Sequence, residues 1–307
     1  MLLTSDDIDF KQYLKEPTTA ARVQSSASFR DALHKELYDL EWKERGTFLP
    51  WRRFDQIRFP GGQVSVWLGM NGHGKSLLTS AVMLDFMAQG QKVCIASMEM
   101  KPEATLKRML RQATGVQTPS KPTTDQFLKW ADDRLLIYDQ QGTVDRKEML
   151  AIIRYCAARL KVQHFVLDSL LKCGLAEDGY TDQKEFMDSL TVVARDFDIH
   201  IHLIHHTRKP SDENAIPGKY DGRGSGSISD QADMMFTVWR NKQKEFDKRA
   251  GKPVDDSLPD CILVCDKNRH LGWEGKIGLW VNPETGTYFD TSERLFKATD
   301  MRLPVNV

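Results

Sequence analysis

The chain has 307 residues, 40% hydrophobic and 28% charged, the composition of a globular protein whose core needs no covalent staples. Lys+Arg and Asp+Glu both number 43, so the formal net charge is zero, a global basic field for nucleic acid is excluded, and any basic surface must be local. No apolar run approaches the ~20 residues that span a bilayer. The start, MLLTSDDIDFKQYLKEP, lacks the basic flank and apolar stretch of a signal peptide, so a cytoplasmic location without membrane contact is expected, with five cysteines as buried thiols.

Residues 1–47 read as a polar N-terminal segment. Within it Phe29, Leu33, Leu37 and Leu40 recur at spacings of three and four, the mark of a helix with one apolar face. Such a helix either docks elsewhere as a linker or packs on its own domain, and spacing does not choose between these.

From about residue 60 the chain alternates. A strand at 63–68 precedes a helix at 75–89, stopped at Gly90. A strand at 92–97 leads to a helix from Pro102 to about 113, proline suiting the first helical turn. Strand 134–138 precedes helix 146–160, strand 164–168 precedes helix 183–196, and strand 200–205 follows. Near-continuous apolar strands between helices predict an α/β fold with a mostly parallel central sheet flanked by helices. Residues 234–240, 261–266, 276–281 and 287–290 then read as strands joined by loops and turns, including Pro283-Glu284-Thr285-Gly286. They predict antiparallel strands at the C-terminal edge of the same sheet. One domain over 48–295 is expected, with a tail at 296–307.

The most informative motif is Gly69-Met70-Asn71-Gly72-His73-Gly74-Lys75-Ser76, which fits GxxxxGK[ST]. Glycines let backbone N–H groups turn inward around phosphates, and the following helix adds its N-terminal donors. Lys75 would reach the β and γ phosphates and Ser76 would ligate Mg²⁺, with Leu77 completing the nucleotide-binding stretch.

Asp168 closes the apolar strand His164-Phe165-Val166-Leu167, at the ligand edge of a parallel sheet, where a carboxylate can hold the Mg²⁺ shell. Glu99 lies just past the strand at 92–97. If that strand neighbours the P-loop strand, Glu99 faces the γ-phosphate and polarises water; otherwise it favours the dipole of the Pro102 helix. His205 and His206 end another strand. No Cys, Asp or Glu completes a ligand set nearby, so no metal other than Mg²⁺ is expected, and alternation lets one of the two sense a γ-phosphate. The cations Arg208, Lys209, Lys219 and Arg223 read most simply as a solvated loop.

Five blocks in order carry a resemblance: WLGMNGHGKS, IASMEM, HFVLDS, HLIHHTRKP, and DGRGSGSISDQADMMFTVWRN followed by DKNRH. Residues from about 48 to 290 resemble the helicase domain of DnaB-type and bacteriophage primase-helicase hexamers, superfamily 4 of the RecA-like class. The most specific parts are Arg223-Gly224-Ser225-Gly226-Ser227 with Asp230 and Ala232-Asp233, and Lys267-Asn268-Arg269 with the later PETG turn. The resemblance implies a RecA-like P-loop fold and a ring-forming helicase that moves 5′ to 3′ on single-stranded DNA and unwinds duplex in replication. It implies Mg²⁺, ATP or dTTP as substrate, a six-membered homo-oligomeric ring, and a bacterial or phage-infected cytoplasm. A separate primase, polymerase or single-strand-binding protein would be a partner.

By the same resemblance Glu99 is the catalytic base and Asp168 the Mg²⁺ carboxylate. His206 links γ-phosphate to DNA, Arg240 stacks on the base, and Lys267 and Arg269 act on the neighbouring subunit's nucleotide, Arg269 as a finger. Arg208, Lys209, Arg223 and Gly224 fall in the loop that holds a DNA strand. The alternative for Arg269 is an exposed arginine at a strand end, paired with a carboxylate. The alternative function is a non-helicase RecA-like ATPase, a recombination mediator or an ATP-controlled assembly or loader protein. Three departures stand out. Only about 47 residues precede the core, so no self-contained primase is expected. The family's base-sandwiching aromatic falls near Val281, with Trp280 beside it. The loop 242–259 looks longer and more charged than the resemblance implies.

Overall fold

The computed structural model describes residues 2–3, 25–38, 46–176, 178–207, 215–218, 221–222, 226–270 and 272–301. In chain order the strands are β1 (Leu2–Leu3), β2 (Thr47–Phe48), β3 (Arg58–Phe59), β4 (Val64–Leu68), β5 (Val93–Ser97), β6 (Leu135–Tyr138), β7 (His164–Asp168), β8 (His200–Ile204), β9 (Met234–Arg240), β10 (Cys261–Asn268), β11 (Gly275–Val281) and β12 (Tyr288–Phe289). The helices are α1 (Arg30–Tyr38), α2 (Lys75–Ala88), α3 (Pro102–Thr114), α4 (Lys121–Ala131), α5 (Arg146–Ala158), α6 (Tyr180–Phe197), α7 (Gly226–Gln231) and α8 (Lys242–Arg249).

Strands β4, β5, β6, β7 and β8 are buried along their whole length, as strands covered on both faces must be. Together with the other strands except β2 and β3 they form one ten-stranded sheet, ordered β1-β6-β5-β7-β8-β4-β9-β10-β11-β12. Pairing is parallel from β1 through β9 and antiparallel over β10, β11 and β12. The expected antiparallel C-terminal edge is therefore present. One apolar cluster joins the sheet to α5, α6 and α7; the second joins its other face to α2, α3, α4 and the β2–β3 pair.

Three helices escaped the sequence reading: α4, the short α7 and α8. Helix α4 is started by Ser120, whose side chain accepts the Thr123 N–H, with proline in the first turn. Helix α8 lies in the segment read as a charged loop, and Asn241 caps it by accepting the Lys244 N–H. Helix α6 begins at Tyr180, three residues earlier than expected. Along α1, Leu33 and Leu37 are 54% and 56% exposed, and Phe29 in the preceding turn is 52% exposed, so among the described residues this face is not buried. Leu40 lies outside the described residues.

His164, His200 and His202 are buried on neighbouring strands β7 and β8. Their partners fix the tautomers. The Trp67 indole donates to His202 Nδ1 (3.3 Å), so His202 Nε2 carries the proton and donates to His164 Nδ1 (3.1 Å). His164 Nε2 then donates to the Thr47 hydroxyl at 3.2 Å. His200 donates from Nδ1 to the Pro60 carbonyl (2.6 Å) and accepts from the Ser65 hydroxyl (2.6 Å). All three rings are neutral. Burial lowers His200 to about 4 and holds His164 and His202 well below the usual range. Among the described residues no cluster of three or more His, Cys, Asp or Glu is placed to hold a metal, and the five cysteines are buried and free.

Candidate nucleotide-binding site

The loop 69–74 leaves the C-terminal end of β4 and enters α2. Gly69 passes so close to β9 that a Cβ there would stand 2.5 Å from the Val238 carbonyl. Gly74 adopts φ +83°, a left-handed conformation natural to glycine, and hands the chain to α2 through the Leu78 N–H to Gly74 carbonyl bond. Lys75 is buried and turns back over the loop. Its Nζ donates to the Gly69 carbonyl (2.8 Å), the Met70 carbonyl (3.0 Å) and His206 Nδ1 (3.1 Å). His206, not His205, is thus the histidine that faces the loop lysine, as alternation required.

Ser76 donates its hydroxyl to Asp168 Oδ2 at 2.6 Å. Burial pushes the Asp168 carboxyl upward, nearby Glu99 adds to that, and Ser76, Lys75 and Arg108 oppose it. Strand β5 pairs with β7, placing Ser97 opposite Asp168, while β4 pairs with β8 and β9. The expected condition that β5 neighbour the P-loop strand is therefore not met: β7 and β8 lie between, because the chain returns from the β6 side to lay them inside β5. Glu99 reaches the site beside Asp168 instead. The acidic residue in the first turn of α3 is Glu103, so the helix-dipole role belongs to Glu103 rather than Glu99.

Arg108 was not legible as a site residue. It projects from α3, half-buried, and its Nη2 contacts the Met100 sulfur at 2.8 Å. Burial lowers its pKa, opposed by Asp168 and Tyr288. Among the described residues no carboxylate stands at ion-pair distance from it. Arg108, Ser76, Ser97 and Asp168 line a cavity of about 20 Å³, room for one water, and the buried Ser97 hydroxyl has no hydrogen-bond partner among the described residues.

On the other side of the loop, the Arg240 backbone N–H donates to His73 Nδ1 at 3.0 Å. Burial first, then Lys242, Lys75 and Arg240, lower His73 to about 4, so it is a neutral acceptor. Val281 is buried and presents no aromatic ring, while the Trp280 indole donates to the Asp256 carbonyl at 2.9 Å. The aromatic near the loop is Tyr288, paired with Val281 across β11 and β12, its hydroxyl 3.2 Å from where a Gly74 Cβ would stand. The PETG turn has a mechanical part. Gln112 Nε2 donates to the Leu77 carbonyl (2.9 Å) and the Gly286 carbonyl (3.0 Å), and a Cβ at Gly286 would meet Leu77 at 2.7 Å.

Lys267 and Arg269 lie at the opposite edge of the sheet. Met234 pairs with both Ser65 and Asn268, so the end of β10 sits beside the start of β4. The five residues of β4 separate that edge from the P-loop by roughly 16 Å. Lys267 Nζ donates to the Ser229 (2.8 Å) and Asp230 (3.0 Å) carbonyls, and Arg269 donates to the Asp230 carbonyl (2.6 Å) and pairs with Asp233 at 3.5 Å. The carboxylate pair foreseen for Arg269 is thus present. Arg208, Lys209, Arg223 and Gly224 lie outside the described residues. An antiparallel bridge joins Thr207, the residue after His206, to Gly222, the residue before Arg223.

The family described as AAA domain matches residues 40–212, more than half of the chain. Among solved structures, one described as an ATPase domain superposes with TM-score 0.70 at 17% identity, covering 87% of this chain and 99% of that one. A DnaB-like replicative helicase, described together with its interactions with primase, superposes with TM-score 0.68 at 14% identity, covering 87% of this chain and 67% of that one. At such identities the likeness is one of fold. Among the described residues no helix is long and apolar enough to cross a membrane. The P-loop at the C-terminal edge of a mostly parallel sheet, the strand order and the matched family agree: the chain belongs to the AAA domain family, with the RecA-like fold of DnaB-type helicase ATPase domains.

Proposed function

We propose that residues 48–295 are the motor of a ring-forming DNA helicase, in which ATP bound at one subunit's P-loop meets Lys267 and Arg269 of the next. What supports this most is the separation of charges within one chain. Lys75, Asp168, Glu99 and His206 gather at one edge of the sheet, and Lys267 and Arg269 sit at the other, too far to serve their own P-loop. A second copy would bring the two halves together.

In this reading Lys75 leaves the loop carbonyls for the β and γ phosphates. Glu99 accepts a proton from the attacking water, and His206 reports the γ-phosphate to the adjoining segment, where Arg208, Lys209, Arg223 and Gly224 would hold single-strand phosphates. Arg240 and Tyr288 flank the base. Mg²⁺ fits the hard oxygens that converge at Ser76 and Asp168, and a desolvated carboxylate favours a cation. When bound, the ion neutralises charge on the β and γ phosphate oxygens. Helix α1, with its exposed apolar face, would dock on a neighbouring copy.

The test is a fork-unwinding assay beside ATPase rates with and without single-stranded DNA. Unwinding together with DNA-stimulated hydrolysis supports the reading. Stimulation without unwinding favours a non-helicase RecA-like ATPase, and no response to DNA favours an assembly or loader protein.

A further inference from the structure

We propose that Glu245 is a positioning residue for nucleobase binding, and that α8 exists to hold it against Arg240. The inference rests on the proposal that Arg240 faces the base.

Arg240 ends β9 and Asn241 begins α8 at once. Asn241 anchors the turn, its N–H donating to the Asp260 carbonyl (2.9 Å) and its side chain capping Lys244. The Lys244 side chain is only 6% exposed. Its Nζ pairs with Asp260 at 2.8 Å and donates to the Leu258 carbonyl at 2.5 Å. Asp260 in turn accepts the Val281 N–H at 2.9 Å. A charged surface helix with no apolar face is thus bolted to β10 and β11 by a half-buried ion pair.

One residue further, Glu245 turns back to Arg240. The contacts are Nε to Oε2 at 3.2 Å and Nη2 to Oε1 at 3.4 Å, a two-point hold on the edge of the guanidinium. Lys242 (3.2 Å) and Arg249 (2.6 Å) bind the same carboxylate. Burial works against the charged form of Glu245, but Arg240, Lys242 and Arg249 outweigh it and hold its carboxyl below the usual range.

A guanidinium gripped by its edge keeps a flat face for a planar ring. Fixing that plane beforehand removes side-chain freedom that stacking would otherwise have to remove. The main chain of Arg240 is fixed as well, through His73 in the P-loop. Phosphate cradle and base platform are thereby held in one frame, for a nucleoside triphosphate recognised by the face of its base.

The experiment titrates the full chain by calorimetry with two probes, adenylyl imidodiphosphate and inorganic tripolyphosphate, both with Mg²⁺. Tripolyphosphate carries the charges without the base. Glu245→Gln and Arg240→Ala should each weaken the nucleotide about five- to tenfold while tripolyphosphate changes less than about twofold. The double variant should be no weaker than Arg240→Ala alone, because the two residues act as a unit. Equal loss of both probes in Glu245→Gln overturns the proposal, since α8 would then act on the fold. An unchanged nucleotide affinity in Glu245→Gln beside a weakened one in Arg240→Ala also overturns it and leaves the base-facing role of Arg240 standing. If Arg240→Ala itself leaves the ratio of the two affinities unchanged, both fall.

Discussion

The hydroxyl of Ser76 and the carboxylate of Asp168 are joined at 2.6 Å, although 92 residues separate them. The bond ties the first turn of α2 to the end of β7 and crosses β8, which lies between their strands. A buried carboxylate whose ionised form is disfavoured by burial is thereby held where a cation would relieve it.

Asp168→Asn therefore has two opposite effects. It removes a desolvated charge, so the metal-free protein should gain about 0.5–2 kcal/mol of stability, in the range typical of relieved active-site strain. Hydrolysis should fall by about 10² or more. Thermal melts with and without MgCl₂ check it: Mg²⁺ should raise the melting temperature of the wild type and leave that of Asp168→Asn unmoved.

Glu99→Gln keeps shape and loses the proton acceptor. Nucleotide and single-stranded DNA binding should persist while turnover drops by about 10² or more. Paired binding and steady-state measurements decide. A normal rate would remove Glu99 from the chemistry and leave Asp168 and Arg108 as the charged groups at that end of the site.

Arg269→Ala should bind nucleotide normally and hydrolyse it poorly, since such fingers contribute about 10³ to 10⁵ in rate. Lys75→Ala should retain less than about a tenth of wild-type turnover. Mixed in equal amounts, the two should recover part of the activity, because some interfaces then pair an intact P-loop with an intact finger. Labelled subunits must be shown to exchange. If they exchange and no mixing ratio restores hydrolysis, or if Arg269→Ala is as fast as wild type with DNA, the residue is only the ion pair it makes with Asp233.

The three buried histidines set a pH response. Their folded pKa values lie below the unfolded value near 6.5, so the neutral network stabilises the fold above that pH and the stabilisation is lost as pH falls toward the folded values. For His200, lowered to about 4, the loss at pH 5 is on the order of 2 kcal/mol. Burial raises Asp85 to about 6 and also pushes Asp168 upward, and both act in the opposite sense over part of the range. Urea unfolding at pH 7.5, 6 and 5 should show falling stability, and a flat profile would mean the rings are not held neutral.

Much of this was legible because it is written locally. β4, β5, β7 and β8 are mostly apolar and buried along their whole length, and the P-loop and Asp168 sit at strand ends that any parallel sheet turns toward a ligand. Strand order is not local, so the position of Glu99 was framed on the wrong neighbour. Helix α8 was missed because periodicity reads apolar faces, and Lys242-Gln243-Lys244-Glu245 has none. Tyr288 and Arg108 come to the site through tertiary packing, and nothing in their own segments announces it. The expected base-sandwiching position holds Val281, buried and without a ring, and Tyr288 stands opposite it on the paired strand.

The sheet begins and ends in two-residue strands, β1 beside β6 and β12 beside β11. A strand of two residues offers few unpaired amides of its own for strand addition. β12 covers Trp280 and Val281 of β11, and β1 covers Ile137 and Tyr138 of β6. The seal at β1 is thin: two residues cap β6, whose four residues are all buried. Trimming the extreme N-terminus would bare a hydrophobic margin, so loss of three residues from a protein of this size should show first as aggregation.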